Sequence, residues 1–489
     1  MIERNAQTRA GLLATQGIRG GGNRTVLERI GQSGDIFMAW SDHEWILDGA
    51  AVNVSIIGFT REPDGIRRLD GRVVAKINSD LSVGVNASAA AALAENTNLA
   101  YMGDTKGGAF DIQWTEALPI LRSPNPNGKT NNDVLRPWVN GLDVTRRARS
   151  MWIVDFGCGM PRDDAALYEA PFRLVEERVY PERKDNRRVS YAKWWWLHVE
   201  PRPAMRDRPP KARFIATPNL TKHRLFAFLN ARVLPDHQLI VFARDDDYFF
   251  GVLHSSIHEL WALRMGTQLE DRPRYTPTTC FETFPLPWAP GSEPVSPPPA
   301  MNGGTQTPPG DQSPSPGIHA GRRSTQPPAI NGGALIYERI SNAARQLNEQ
   351  RERWLNPPEW VEPIARAVDA EDDFADVPEE ARGLIRQSAI MTRAAKDAKL
   401  KKRTLTNLYN ERPTWLKLAH EQLDRAVLAA YAATDPDGDW SEDWSRVWVD
   451  TGAGQPLPDD HELTDLRKET DQRVLANLLR INLQRAEKR

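Results

Sequence analysis

Cysteine is almost missing: Cys158 and Cys280 are the only two in 489 residues. That excludes a disulfide scaffold and fits a reducing, cytoplasmic compartment with thiols of no structural role. No run approaches the about 18 apolar residues of a membrane-spanning helix, so no membrane partner is expected. Residues 1–7 are polar and read as no signal peptide. No sign of charge dominates: 63 Lys and Arg oppose 65 Asp and Glu, a net −2. With 40% apolar and 26% charged residues, disorder throughout and a collagen-like chain are excluded. No repeat of fixed period is visible. The length allows two to four domains, each able to bury a core.

Proline (37) and tryptophan (16) are plentiful, and position decides their meaning. Residues 289–333 hold 11 Pro and 8 Gly among 45, with almost no large apolar side chain. Such a segment reads as a disordered or extended linker. Before it, residues 10–15, 36–40 and 52–59 are short apolar runs, nearly continuous, as in a buried sheet. The region from the 120s to the 280s is rich in Pro, Trp and Arg and reads as many short strands and turns. After the linker the period becomes helical. Ile336, Ile340, Ala343, Leu347 and Trp354 share one face. Pro413 opens a helix with Leu416, Ala419, Leu423, Val427 and Tyr431 aligned, and Leu475, Leu478, Leu479 and Leu483 form a last stripe.

Several short patterns imitate chemistry. Met151-Trp152-Ile153-Val154-Asp155-Phe156-Gly157-Cys158-Gly159 is a strand followed by D-x-G-x-G, as in the cofactor loop of S-adenosylmethionine-dependent methyltransferases. Pro161 stands where a small residue should open the helix, and no catalytic loop comes after it, so a decoy is the better reading. Asn356-Pro357-Pro358-Glu359 imitates the Asn-Pro-Pro-aromatic loop of amino-methyltransferases, but Glu359 replaces the aromatic ring and a helix stop is preferred. Gly20-Gly21-Gly22 lacks phosphate-loop spacing. His254 and His258 would share a helix face but lack a third metal ligand. Asp245-Asp246-Asp247 reads as a solvated turn rather than a Mg²⁺ site.

The basic stretch says more. Residues 181–232 carry thirteen Lys and Arg against four acids, a local +9 in a chain of −2, with Tyr191 and Trp194-Trp195-Trp196 inside. Clustered cations among aromatics suit a phosphate backbone and base edges; the bland alternative is a solvated face over a Trp-rich core. A second run, Lys396 to Arg403, comes after an acidic block.

Longer strings carry a family resemblance. Gly11-Leu12-Leu13-Ala14-Thr15 with Ile18-Arg19-Gly20-Gly21, and Trp40-Ser41-Asp42-His43-Glu44-Trp45, are similar to sheet strands of the MmeI-like (type IIL) adenine-specific DNA methyltransferases. Asn131-Asn132-Asp133-Val134-Leu135-Arg136-Pro137 resembles the entry to their target recognition domain, and Arg274-Tyr275-Thr276-Pro277 its exit. Thr404-Leu405-Thr406-Asn407 and Pro413-Thr414-Trp415-Leu416 resemble their C-terminal helices.

The resemblance implies α/β and α+β architecture in four parts. Residues 1–100 would be the last strands of a Rossmann-like catalytic sheet and 101–288 a mixed α/β recognition domain. Residues 289–333 would be a linker and 334–489 a helical domain. In the family, the cofactor loop and the Asn-Pro-Pro-aromatic loop precede the strand at Gly11. The expectation is therefore a recognition polypeptide of an adenine N6-methyltransferase in restriction-modification or phage defence. An upstream polypeptide would supply catalysis, S-adenosylmethionine would serve the complete enzyme, and this chain alone would take no cofactor. The alternatives are a self-sufficient methyltransferase using Asp155, Gly157 and Gly159, and a non-catalytic protein-interaction chain or degraded gene product.

Double-stranded DNA is the expected partner, met by residues 127–149 and 181–232 with the C-terminal helices closing the other side. Lys129, Asn131, Arg136, Arg146 and Arg147 are candidates from the first region. Arg187, Arg188, Lys193, Asn219, Lys222, His223 and Arg224 come from the second, and Lys401, Lys402 and Arg403 from the helical part. Arg187, Arg188, Lys193 and Lys222 are expected on phosphates, Arg136 and Asn219 on base edges.

Overall fold

The structure is a computed structural model that describes residues 8–19, 21–47, 50–61, 65–207, 212–269, 272–294, 332–363, 390–392, 398–449 and 461–488. Most of the expected linker, 295–331, lies outside the described residues. Among the described residues no helix is long and apolar enough to cross a membrane.

The three early apolar runs are strands, as predicted. β1 (Arg9–Thr15), α1 (Thr25–Ser33), β2 (Asp35–Leu47), β3 (Ala50–Thr60), β4 (Arg67–Leu69) and β5 (Arg72–Val74) build one sheet in the order β1-β3-β2-β4-β5. β3 runs antiparallel to β1 and β2, and β4 parallel to β2. The near-continuous apolar runs read as a buried sheet, but burial here is uneven. Leu27 and Ile30 of α1 cover Ile36, Ala39 and Ile57 on one face. Leu13, Trp45 and Ile46 remain exposed.

Two four-stranded sheets come next, made from β6 (Ala100–Met102), β7 (Asp111–Gln113), β8 (Leu135–Val139), β9 (Met151–Val154), β10 (Arg213–Pro218), β11 (Ala227–Asn230), β12 (Leu234–Pro235) and β13 (Leu239–Phe242). Their orders are β12-β8-β9-β7 and β11-β10-β13-β6. Between β8 and β9 sits the short helix α2 (Gly141–Thr145), and between β9 and β10 the single turn α3 (Val189–Lys193). The first sheet buries Trp152, Trp195 and Trp196 with Phe172 and Val175.

After β13 come α4 (Asp247–His254) and α5 (Ser256–Met265), then α6 (Gly332–Leu355), α7 (Leu405–Glu411), α8 (Thr414–Thr434) and α9 (His461–Glu487). The helical faces read from the sequence are buried on α6 and α8, including Ile340, Leu347, Leu416, Leu423 and Tyr431. On α9 the stripe is rotated: Val474, Leu475, Leu478 and Ile481 are buried and Leu483 is exposed.

These helices pack on the strands before them. One core joins Phe226, Phe242, Phe249 and Phe250 to Ile340 and Leu347 of α6, Leu423 and Val427 of α8, and Leu478 of α9. The cause lies in α4, whose residues from Tyr248 to His254 are all buried. A helix that is apolar all round must be covered on every side. Gly251 permits the close approach: a Cβ there would stand 2.9 Å from the Ala344 Cβ.

Candidate nucleic-acid interface

Arg208 and Lys211 of the basic stretch lie outside the described residues. Most of the other cations are committed inside the protein. Arg183 is buried and donates to the carbonyls of Trp195 (3.1 Å), Leu197 (2.6 Å) and Lys106 (2.7 Å). Arg202 pairs with Glu200, and Arg213 with Asp247 at 2.9 Å. Arg232 donates to the Asn132 carbonyl at 3.0 Å.

Lys184, Arg187, Arg188 and Lys193 differ. All four are exposed, and none pairs with a carboxylate among the described residues. They surround α3, none of whose residues is buried. Asn186 turns the chain into that helix by accepting from the Arg188 amide at 2.9 Å. The buried Trp195 and Trp196 just after it anchor it to the core. Arg188 lies 5.2 Å from the Tyr191 ring centroid and donates to its hydroxyl at 2.8 Å, and Lys193 lies 5.1 Å from the Trp194 ring. Cations thus stand in solvent beside the half-buried Tyr191 ring and the exposed Trp194 ring, a pairing suited to phosphate and base.

Beneath the patch is a buried ionic chain. Arg206 donates to Asp104 and to Asp155, both at 2.6 Å. His198 meets Asp104 through Nδ1 at 2.7 Å and the Val154 carbonyl through Nε2 at 3.0 Å. Burial by itself would raise the Asp155 carboxyl, but Arg206, His198 and Arg136 hold it well below the usual carboxylate range. Burial likewise opposes the charge of Arg206, and its two carboxylates more than restore it.

This chain settles the D-x-G-x-G pattern. β9 pairs antiparallel with both β7 and β8, whereas a cofactor loop needs a parallel strand leading into a helix. The Asp155 carboxylate is spent on Arg206, Arg136 and the Gly157 amide at 3.0 Å. The self-sufficient methyltransferase based on Asp155, Gly157 and Gly159 is therefore corrected: these residues form a structural turn and do not fit the cofactor.

Residues 212–288 match the family model of the MmeI target recognition domain. That segment is therefore similar to the MmeI target recognition domain. Among solved structures, the type IIL restriction-modification enzyme MmeI in complex with DNA matches with a TM-score of 0.56 and 17% identity. The match covers 92% of this chain and 50% of that one, so the chain spans half the length of MmeI. At that identity the likeness shows the fold, of mixed α/β sheets with helices after them. No curated protein matches.

The MmeI-type recognition segment contains four predicted site residues. Lys222 is exposed, and its ammonium donates to Asn410 at 3.0 Å. Asn219 is half-buried, its amide 3.4 Å from the His237 carbonyl. His223 and Arg224 are corrected. His223 is buried against Asn410 at 2.8 Å, and burial pushes its imidazole down. Arg224 is buried and donates to Pro218 (2.6 Å) and Pro273 (3.1 Å) carbonyls, with the Tyr275 ring 4.9 Å away. Neither has an edge left for DNA.

Upstream, Asn131 is also corrected. It is buried, donating to Ile120 and Ser123 carbonyls at 2.7 and 2.9 Å and accepting from Asn125 at 2.8 Å. Arg136 is engaged with the Arg232 carbonyl and Asp155 instead of a base. Lys129 is half-buried, 5.1 Å from the Tyr168 ring. Arg146 is exposed at the end of α2. Arg147 and Arg403 brace the end of α6: Arg147 donates to the Leu355 carbonyl and Asn356, Arg403 to the Trp354 carbonyl at 2.7 Å. Lys401 and Lys402 are exposed beside them.

The remaining patterns resolve structurally. α6 stops at Leu355, so Asn356-Pro357-Pro358 ends a helix as predicted. His254 and His258 lie on two helices, because Ser255 is extended and caps α5 by accepting from the His258 amide. His254 binds Arg351 at 2.8 Å, and His258 the Tyr275 hydroxyl at 3.0 Å. The solvated turn at Asp245-Asp246-Asp247 is corrected too: Asp246 caps α4, and Asp247 pairs with Arg213 and Arg345. No group of three metal-ligating side chains occurs among the described residues. Sequence reasoning missed Lys184 and Arg274 as exposed cations; each lay in a segment already singled out, but nothing local marked it as exposed.

Proposed function

We propose that this chain is the DNA sequence-recognition part of an MmeI-like restriction-modification enzyme. The observation that carries this is the sorting of charge: four exposed cations, with no carboxylate partner among the described residues, ring α3 beside a segment matching the MmeI recognition domain. The structure of MmeI with DNA supports a duplex as the partner. Lys184, Arg187, Arg188 and Lys193 hold phosphates and set register, and half-exposed Asn219 with exposed Lys222 and Arg274 lies toward the bases.

The complete enzyme, on this reading, moves a methyl group from S-adenosylmethionine to an adenine amino group. Its cofactor and target loops are supplied outside the described residues, in the same or an upstream polypeptide. The edge strand β1, with Leu13, Trp45 and Ile46 exposed on its sheet, suits contact with that part.

A salt-titrated mobility-shift assay tests the interface with Arg187→Glu, Arg188→Glu and Lys193→Glu combined. Binding to every sequence should be lost while the melting temperature stays put, since none of the three is buried. Undiminished binding would place the DNA surface elsewhere.

A further inference from the structure

Between α3 and the turn at Gly159 lies a cavity of about 270 Å³ whose lining includes Cys158, Gly159, Arg183, Tyr191, Trp194 and His198. Trp194 forms one wall and is 43% exposed, although Trp195 and Trp196 are 6% and 5% exposed. An aromatic face left in solvent beside two core tryptophans is a stacking surface. Arg183 lines the cavity beneath Tyr191, 5.7 Å from its ring centroid. It is 2% exposed, bound to three carbonyls, and has no carboxylate within ion-pairing distance among the described residues. A Cβ added to Gly159 would meet nothing within 4 Å, so a side chain there is accommodated without a clash.

We propose that this cavity receives a single nucleobase turned out of the bound DNA strand, stacked on Trp194, while Lys184, Arg187, Arg188 and Lys193 hold the flanking phosphates. The inference rests on the DNA-binding function proposed above. Size favours one base over a nucleoside cofactor, because the cavity falls below the about 300–1,000 Å³ of pockets that take drug-sized ligands. Turning a base out disrupts stacking and pairing; a new aromatic partner offsets that loss, and least is lost when the base is already unpaired.

The test compares a duplex containing one bulged adenine with the same duplex fully paired, using the full chain. The native protein should bind the bulged duplex about tenfold tighter. Trp194→Ala should erase that preference, and so should Gly159→Leu, which adds bulk at a lining position with free space. Trp194→Phe should keep it, and unchanged melting temperatures would exclude misfolding. Free adenosine monophosphate forms a third arm. Equal affinity of the native protein for both duplexes would overturn the proposal. So would a preference that survives both cavity variants, or nucleotide binding without any bulge preference. Failure to bind either duplex would sink the DNA reading itself, a result distinct from these.

Discussion

Lys184, Arg187, Arg188 and Lys193 stand in solvent around one helical turn, whereas Arg206, Arg213 and Arg224, further along the same basic stretch, are built into the protein. By composition the two groups look alike. They differ in the residues that flank them. The first group precedes two core tryptophans that fasten the turn from below and leave its cations outside. In the second, Arg213 and Arg224 lie in and just after β10, whose residues are largely buried, and Arg206 meets the buried Asp104 and Asp155. A guanidinium carried into such surroundings must collect carbonyls or carboxylates, because a buried charge without partners is costly. Net local charge therefore locates an interface only after the buried cations have been subtracted.

The largest effect should come from breaking the inner group. Arg206→Ala leaves buried Asp104 with only His198 and buried Asp155 with only Arg136 and the Gly157 amide, and unfolding by denaturant should show a loss of about 3–5 kcal/mol. A change below about 0.5 kcal/mol would mean that the chain of charges is not structural.

Two buried carboxylates sharpen the same contrast. Asp155 has arginine partners and is held low. Asp424, 1% exposed, receives only the Ser256 amide and hydroxyl, both at 2.7 Å. Burial pushes it up to about 7, against the Ser256 hydrogen bonds and Arg412 and reinforced by Glu259. The folded state therefore binds this proton more tightly than the unfolded chain does, where the carboxyl titrates near 3.8. Its stabilising contribution is full below about pH 4 and is lost as pH rises through about 7. Asp424→Asn should gain on the native protein across that window, ending a few degrees higher in melting temperature at pH 8. A difference that does not change with pH would refute the assignment.

The smallest effect belongs to a single outer cation. Lys193→Ala should lower the slope of log affinity against log salt by about one and leave stability within about 0.5 kcal/mol. An unchanged slope would remove Lys193 from the phosphate contacts.

Periodicity is where the sequence was most legible. The strands at 10–15, 36–40 and 52–59 and the faces of α6 and α8 arise from side-chain spacing, which the backbone period alone sets. The stop at Asn356-Pro357-Pro358 arises from proline's missing donor. Legibility failed where one residue changes the frame. Ser255 divides what looks like one helix and parts His254 from His258. Leu483 extends the stripe of α9 by spacing, yet Asn482 beside it takes the buried position and binds the Ala91 and Thr283 carbonyls.

The amino-acid sequence by itself determined the helix and strand pattern, the Pro- and Gly-rich segment and the family resemblance, because each is written in neighbouring residues. Only the tertiary structure decided which cations are free, that Asp155 is an ion-pair hub, and that the C-terminal helices share a core with the recognition region. Those outcomes depend on partners such as Asp104 with Arg206 and Gly251 with Ala344, far apart along the chain and brought together only when their elements pack.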